Sequence, residues 1–340
     1  VLSFPLAVGY KITKKCNLAC QFCWADKTGK EPEEKKIFAT LSKLIKKNVL
    51  EFTFSGGEPL LSPIISDLVC ILKNEKRAIR LYTNGTLIRQ NPELFEKFNR
   101  LTDYVQVSFD AHTEKLFKAI RKDKSFNNIL LGVKLLKEMK IPFRLHMTVM
   151  KGNVKYLYDV FRQAEKLGAT VFSVGIVSPM NLGSTFYNDI SSAVFDDYLY
   201  GVFQCISYTS NTYFEFFLPY YLLWKYSAIF LKKNAQKMKS VRIDEGNVFI
   251  HINADGDVYP SNYMSEEIVR FSNIYNEPFS KLEASYQKSI FRNARIINDP
   301  ICCKCSISSV CQGGDYFAVI KNSNDIGKGD PGCPMHIKPL

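Results

Sequence analysis

Ala7-Val8-Gly9-Tyr10-Lys11-Ile12-Thr13 leads, two lysines later, into Cys16-Asn17-Leu18-Ala19-Cys20-Gln21-Phe22-Cys23. The first seven residues form an alternating apolar run that reads as a strand. The loop after it has the spacing C-x3-C-x-Φ-C, with an aromatic at Φ. Three thiolates this close together can hold three irons of a [4Fe–4S] cube and leave the fourth without a protein ligand. An open iron can bind a substrate or cofactor, so the cluster can do chemistry as well as carry electrons. The alternatives are a zinc site or three scattered core cysteines. Zinc usually takes four ligands in two C-x2-C-like pairs, and this loop offers three.

Strands and helices alternate beyond the loop. A charged helix is expected from about Glu33 to Lys47, and Leu50 to Phe54 reads as a strand ending in Ser55-Gly56-Gly57-Glu58-Pro59. A helix over about Pro63 to Lys73 precedes the strand Ile79 to Tyr82, which runs into Thr83-Asn84-Gly85. After a helix near Pro92 to Phe98, the fourth strand is Tyr104 to Asp110. An amphipathic helix over about Ser125 to Met139, the strand Phe143 to Val149, a helix near Lys155 to Leu167 and the strand Val171 to Val177 complete the series. Six β/α units imply an α/β fold whose parallel sheet curls into a partial (β/α)6 barrel. In barrels of this type the active site lies at the C-terminal strand ends. The cysteine loop and the Gly-Gly-Glu-Pro, Thr-Asn-Gly and Ser-Phe-Asp segments all fall there.

The cysteine spacing resembles the defining motif of the radical S-adenosylmethionine (AdoMet, SAM) superfamily. The resemblance implies a [4Fe–4S] cluster on Cys16, Cys20 and Cys23 whose open iron chelates AdoMet. One electron from the reduced cluster then cleaves AdoMet to methionine and a 5′-deoxyadenosyl radical, which abstracts hydrogen from a substrate. Gly56, Gly57, Glu58 and Pro59 resemble the family's GGEP motif, whose backbone binds the AdoMet amino group; glycine permits that close approach. Thr83 and Asn84 match its TNG segment. Ser108 and Asp110 share one strand face and match positions that contact the ribose or methionine part. Arg121 lies where relatives place an arginine for the AdoMet carboxylate, a bidentate pairing; relatives often follow it with glycine, and here Lys122 follows. Phe22 and the last strand, to Val177, are expected near the adenine. His146 on the fifth strand is either a core histidine or a catalytic one.

Cys302-x2-Cys305-x5-Cys311, with Cys333 beyond, resembles the SPASM/twitch extension of radical AdoMet peptide-modifying enzymes. The stretch Phe249 to Pro260 reads as a hairpin turning at Asp255-Gly256, and relatives carry a similar one. Two departures matter. Ser261 stands where a cysteine usually follows the hairpin, and Asp315 where another follows Cys311. Both losses fall on the inner auxiliary cluster. The expectation is therefore one auxiliary [4Fe–4S] cluster on Cys302, Cys305, Cys311 and Cys333, in a small α+β C-terminal extension, with a zinc knuckle as the alternative. Cys303 is spare and Cys70 fits a helix core. Cys205 is either a thiol hydrogen-atom donor or a buried inert cysteine.

The chain has 340 residues, 46% of them apolar, enough for one large domain or two. Ten cysteines without a secretory signal argue for metal ligation in a reducing cytoplasm rather than disulfides. Whether a segment precedes Val1 stays open. A formal charge of +12 is spread over the chain with no aromatic-interleaved stripe of nucleic-acid type. It leaves room for an acidic partner or an electron donor of flavodoxin or ferredoxin type. The expected divisions are a barrel over 1–183, an aromatic-rich helical linking region over 184–240 and the auxiliary-cluster domain over 241–340. The aromatic stretch from Tyr198 to Phe230 reads as core between domains, with peripheral membrane contact or an apolar substrate surface as lesser readings.

The preferred substrate is a ribosomally made peptide, oxidised, crosslinked or epimerised at an unactivated C–H. That preference follows the habit of the extension and is an analogy. Too little chain precedes the first strand for a separate leader-binding domain, which counts against it. A small-molecule dehydrogenase or decarboxylase acting on a sugar, cyclitol or nucleoside-like compound is the alternative. A non-catalytic iron–sulfur protein is a minor one.

Overall fold

The computed structural model describes residues 2–23, 25–177, 192–216, 246–262, 264, 267–289, 291, 297–306, 308–331 and 333–337. The six expected strands are present: β1 (Ala7–Lys11), β2 (Glu51–Ser55), β3 (Ala78–Thr83), β4 (Tyr104–Ser108), β5 (Phe143–Val149) and β6 (Val171–Ile176). They lie side by side in chain order, all parallel. Between them run α1 (Glu34–Lys46), α2 (Ile65–Asn74), α3 (Pro92–Glu96), α4 (Glu114–Arg121), α5 (Phe126–Glu138) and α6 (Leu157–Leu167).

The strands sort their side chains by alternation. In β3, Ile79 and Leu81 are buried against the helices, while Arg80 and Tyr82 face the other way, half-buried. On the helix side Phe52, Phe54, Val105, Val107, Leu145 and Phe172 meet Leu41 and Leu44 of α1, Leu68 and Leu72 of α2, Val133 of α5 and Phe161 of α6 in one core. Each such fully buried side chain contributes about 2 kcal/mol of transfer free energy. The opposite face carries ions. Glu51 pairs with Arg80, Arg80 and Arg144 lie 4.9 and 5.0 Å from the Tyr104 ring, and Arg144 pairs with Glu215 at 3.0 Å. The helices enclose the apolar side of the sheet; these ion pairs lie on the other side, toward the N-terminal ends of the strands.

The sheet is wider than six strands. The aromatic region supplies both a helix, α7 (Ser192–Ser207), and a strand, β7 (Tyr213–Phe216), parallel to β6. At the other edge β8 (Phe249–Ile252) pairs parallel with β1, and β9 (Asp257–Tyr259) and β10 (Ser272–Asn273) continue antiparallel. Gly9 lies opposite His251, and a Cβ there would stand 2.7 Å from the imidazole. The hairpin turns at Asp255-Gly256 as expected, with Gly256 at φ +89. The C-terminal part adds α8 (Phe279–Gln287) and four short helices, α9 (Pro300–Cys303), α10 (Ser308–Cys311), α11 (Tyr316–Ser323) and α12 (Pro334–Ile337). The expected divisions at 183/184 and 240/241 fall outside the described residues, as do Phe217 to Phe230 of the aromatic stretch. No helix among the described residues is long and apolar enough to cross a membrane.

Candidate functional site

The C-terminal ends of the strands converge on the cysteine loop. Gly57 N donates to Thr13 O at 2.9 Å and Glu58 N to Lys15 O at 2.7 Å, so the GGEP segment is stitched to the chain just before Cys16. A Cβ at Gly57 would run into the Lys15 carbonyl, which explains the glycine. Glu58 is fully buried and accepts three hydrogen bonds. Leu60 N and Thr83 Oγ1 reach Oε1 at 3.1 and 2.7 Å, and Asn84 N reaches Oε2 at 2.7 Å. Burial nonetheless pushes its pKa up to about 7, the hydrogen bonds only partly opposing it.

Asn84 passes the network on. Its Nδ2 donates to Asn17 Oδ1 at 2.9 Å and approaches Cys16 Sγ at 4.0 Å, while its Oδ1 accepts from Thr86 N and Oγ1. Asn17 Nδ2 returns to Thr86 Oγ1 at 2.8 Å. The sequence reading did not single out Asn17 or Thr86. Their only signal is position, inside the first cysteine gap and two residues after Asn84.

Asp110 is fully buried. Its Oδ2 accepts from Arg121 Nε and Nη2 at 2.8 and 2.6 Å, and its Oδ1 from Thr148 N at 2.8 Å. Arg121 Nη1 then approaches Cys20 Sγ at 3.6 Å, and the guanidinium lies 5.6 Å from the Phe22 ring. Burial works against the Arg121 charge, but Asp110 and Cys20 outweigh it and its pKa is raised. Cys20 is pushed up by burial and drawn back by Arg121. The structure thus engages Asp110 and Arg121 with each other and with the cysteine loop. Leu18, Phe22, Ile120, Met150 and Val177 pack around Cys20 as a small apolar wall.

Ser108 is half-buried beside His146 in the β4–β5 register. His146 Nδ1 lies 2.9 Å from Ser173 Oγ, and burial depresses its pKa to about 4, so the ring is neutral near pH 7. The side chain lies on the face of β5 opposite Leu145 and Met147. Cys205 sits in the main core with Val202 and Phe216, apart from the apolar wall of the strand ends, and burial raises its thiol pKa. That environment suits an inert core cysteine. Lys11 ends β1 near Cys23, and burial lowers its pKa to about 8. Lys14 Nζ donates to Thr28 O and pairs with Asp255 Oδ1, both at 2.7 Å, tying the start of the loop to the hairpin tip.

Three cysteine thiols with donors directed at them form a site suited to thiolates. Leu18 N at 3.4 Å, Asn84 and Arg121 supply those donors, and Lys11 adds charge near Cys23. The residues fit a three-thiolate cluster.

A second group lies in the C-terminal part. Burial raises the Cys311 thiol, and Cys333 and Cys305 raise it further. Cys333 is raised by burial, Asp330 and Cys305. Backbone N–H groups of Gly313 and Gly314 serve Cys311, and those of Met335 and His336 serve Cys333. Crowded thiols with N–H donors are consistent with metal ligation. Cys302 lies on α9, whose first turn is capped by Asp299 Oδ1 at 3.0 and 3.2 Å. Its Sγ lies 3.5 Å from His336 Nε2, which lies 3.5 Å from Asp299 Oδ1. Asp299, Cys302 and His336 together could also hold a single metal ion, so His336 is a site neighbour the sequence reading missed. Ser261 is fully buried, and Asp315 N donates to Asp330 Oδ2 at 3.0 Å. Cys303 is exposed and bonds Ile297 O, as suits a spare. Cys70 is half-buried on α2.

Residues 10–164 match the family model of the Radical SAM superfamily. Among curated proteins, the AdoMet-dependent heme synthase of Methanosarcina barkeri is 26% identical over 92% of this chain and 94% of its own. The sporulation killing factor maturation protein SkfB of Bacillus subtilis is 27% identical over 50% of this chain and 42% of its own, so the match spans less than half of SkfB. Among solved structures, Streptococcus suis SuiB bound to precursor peptide SuiA superposes with a TM-score of 0.73 at 19% identity. It covers 98% of this chain and 77% of SuiB. Radical SAM enzymes work with AdoMet and a [4Fe–4S] cluster, and the SuiB and anSMEcpe neighbours were solved with S-adenosylmethionine bound.

Proposed function

We propose that this chain, a radical SAM enzyme, acts on a ribosomally synthesised peptide, with Cys16, Cys20 and Cys23 holding the AdoMet cluster and Cys302, Cys305, Cys311 and Cys333 an auxiliary one. Bound there, the first cluster and AdoMet supply a one-electron cleavage that ends in hydrogen abstraction from the substrate. The chain's own residues prepare the place. Glu58, Thr83, Asn84 and Asn17 fix the loop around Cys16. Asp110 orients Arg121 toward Cys20. Phe22, Ile120, Met150 and Val177 exclude water beside it. The substrate would lie on the helix-free face of the sheet, toward the C-terminal strand ends that carry the cysteine loop.

One observation carries the peptide reading. The fold matches SuiB, a protein solved with its precursor peptide, over nearly the whole chain. A second reading, a porphyrin-like small molecule, is favoured by the end-to-end match to the heme synthase. The deciding experiment offers the reconstituted enzyme and AdoMet two substrates under dithionite. One is the short peptides encoded beside its gene; the other is porphyrin precursors of haem. A mass change on a peptide supports the first reading. Conversion of porphyrin alone replaces it with the second.

A further inference from the structure

Lys115, Lys118, Lys122 and Lys124 converge on the outer side of α4 and the turn after it. With Ala119 they line a shallow depression of about 410 Å³. All four are exposed. Two acids lie in the same segment. Glu114 is in the first turn of α4, and Asp123 Oδ1 accepts from Ser125 N at 2.6 Å. None of the four lysines forms an ion pair among the described residues. Some lysines elsewhere are paired, such as Lys47 with Glu283 and Lys73 with Asp103, and others are not; what distinguishes these four is that they line one depression. Lys122 holds φ +56, a left-handed conformation that glycine adopts without strain. Lys76 and Lys140 adopt it as well, so the conformation is not peculiar to this patch; at Lys122 it places a fourth positive charge beside the other three. Four like charges crowded and unpaired are unfavourable by themselves; an acidic partner removes the penalty.

The inner side of the same helix says what such a partner would do. Ile120 packs against Cys20, and Arg121 Nη1 lies 3.6 Å from the Cys20 thiol. An α-helix with its side chains is about 10 Å across. A protein seated on the lysines is therefore separated from a cluster ligand by a single helix.

We propose that this lysine surface docks a small acidic one-electron carrier protein. The proposal rests on the radical SAM reading above and adds the place where the electron enters. With flavodoxin as carrier, the hydroquinone gives up one electron and becomes the semiquinone. The oxidised cluster on the cysteine loop gains that electron, and no bond or proton need be exchanged.

The test compares the reconstituted full chain with a variant carrying Lys115→Glu, Lys118→Glu, Lys122→Glu and Lys124→Glu. Cluster bleaching is followed by stopped flow with flavodoxin hydroquinone and, separately, with dithionite. The reversal should slow flavodoxin-driven reduction about tenfold or more at low salt, and a Lys→Gln set should slow it less. The wild-type rate should fall with added salt, and that dependence should flatten in the variant. Dithionite reduction should stay unchanged. Flavodoxin rates equal in both proteins overturn the proposal. So does unchanged flavodoxin reduction with weakened substrate binding, which would make the patch a substrate site. A wild-type cluster that dithionite cannot reduce would instead remove the radical SAM reading, and the proposal with it.

Discussion

Arg121 holds Nη1 3.6 Å from Cys20 Sγ while Asp110 Oδ2 grips its Nε and Nη2 at 2.8 and 2.6 Å. Both side chains are buried, so the pair is shielded from solvent and salt. Removing one partner leaves the other charge uncompensated. Asp110→Asn should therefore lower stability by about 3 kcal/mol. Urea unfolding measures it. Arg121→Lys keeps the charge but cannot reproduce a two-nitrogen grip plus a third contact. It should fold and reconstitute yet cleave AdoMet more slowly. Wild-type cleavage rates in Arg121→Lys would mean the guanidinium is only structural.

Glu58 gives a pH signature. Its folded pKa of about 7 lies above the ordinary 4.5 because it is buried. The folded state thus binds this proton more tightly than the unfolded chain. Its contribution is greatest below 4.5, declines as pH rises toward 7 and is flat above. The span is of order 3 kcal/mol. His146 runs the other way: with a folded pKa of about 4 against 6.5, it adds stability as pH rises through that interval. The difference between wild type and Glu58→Gln isolates the carboxyl. Melting curves from pH 5 to 8 should show the variant gaining relative to wild type as pH rises. A constant difference would mean Glu58 is charged throughout.

The six parallel strands could be read because each is a short apolar or alternating run closed by turn residues, and the three motifs follow strands directly. The pairing of β8 with β1 could not: Gly9 and His251 meet across the sheet without a local signal. The helix α4 was also passed over. Leu116, Phe117 and Ile120 make a stripe only one face wide among charged residues, and its worth depends on packing beside Cys20. Asp110 and Arg121 were each legible as candidate ligand contacts. Their mutual bond needs the turn between β4 and α4, which no pattern in the chain specifies. His336 was missed because a lone histidine near a terminus has no spacing to judge.

Gly57 tests the stitching of the loop. Alanine there would drive its Cβ into the Lys15 carbonyl, one residue before Cys16. The backbone must shift, and the bonds from Gly57 N to Thr13 O and Glu58 N to Lys15 O go with it. Gly57→Ala should keep the C-terminal iron and lose most AdoMet binding, measured by equilibrium dialysis. The wild-type chain is the comparison. Equal AdoMet affinity in the two would refute the role given to the GGEP segment.

The C-terminal thiols yield the last prediction. A three-thiolate and a four-thiolate site together imply about 8 Fe per chain. The triple replacement of Cys16, Cys20 and Cys23 by alanine should leave about 4 Fe and abolish 5′-deoxyadenosine formation. Gly329→Ala attacks the other site without replacing a ligand. Its Cβ would overlap His336 Nε2 and stand 2.6 Å from Cys302 Sγ. Cys302 must move, and a cluster on Cys302, Cys305, Cys311 and Cys333 would lose one of its ligands. That variant should also fall to about 4 Fe but still cleave AdoMet, with less product per 5′-deoxyadenosine if the auxiliary cluster takes the electron left after hydrogen abstraction. An unchanged ratio in a soluble, folded Gly329→Ala protein would make the cluster structural. About 12 Fe in the wild type would mean that Ser261 and Asp315 have been replaced by other ligands, and zinc with about 4 Fe would make the C-terminal cysteines a knuckle.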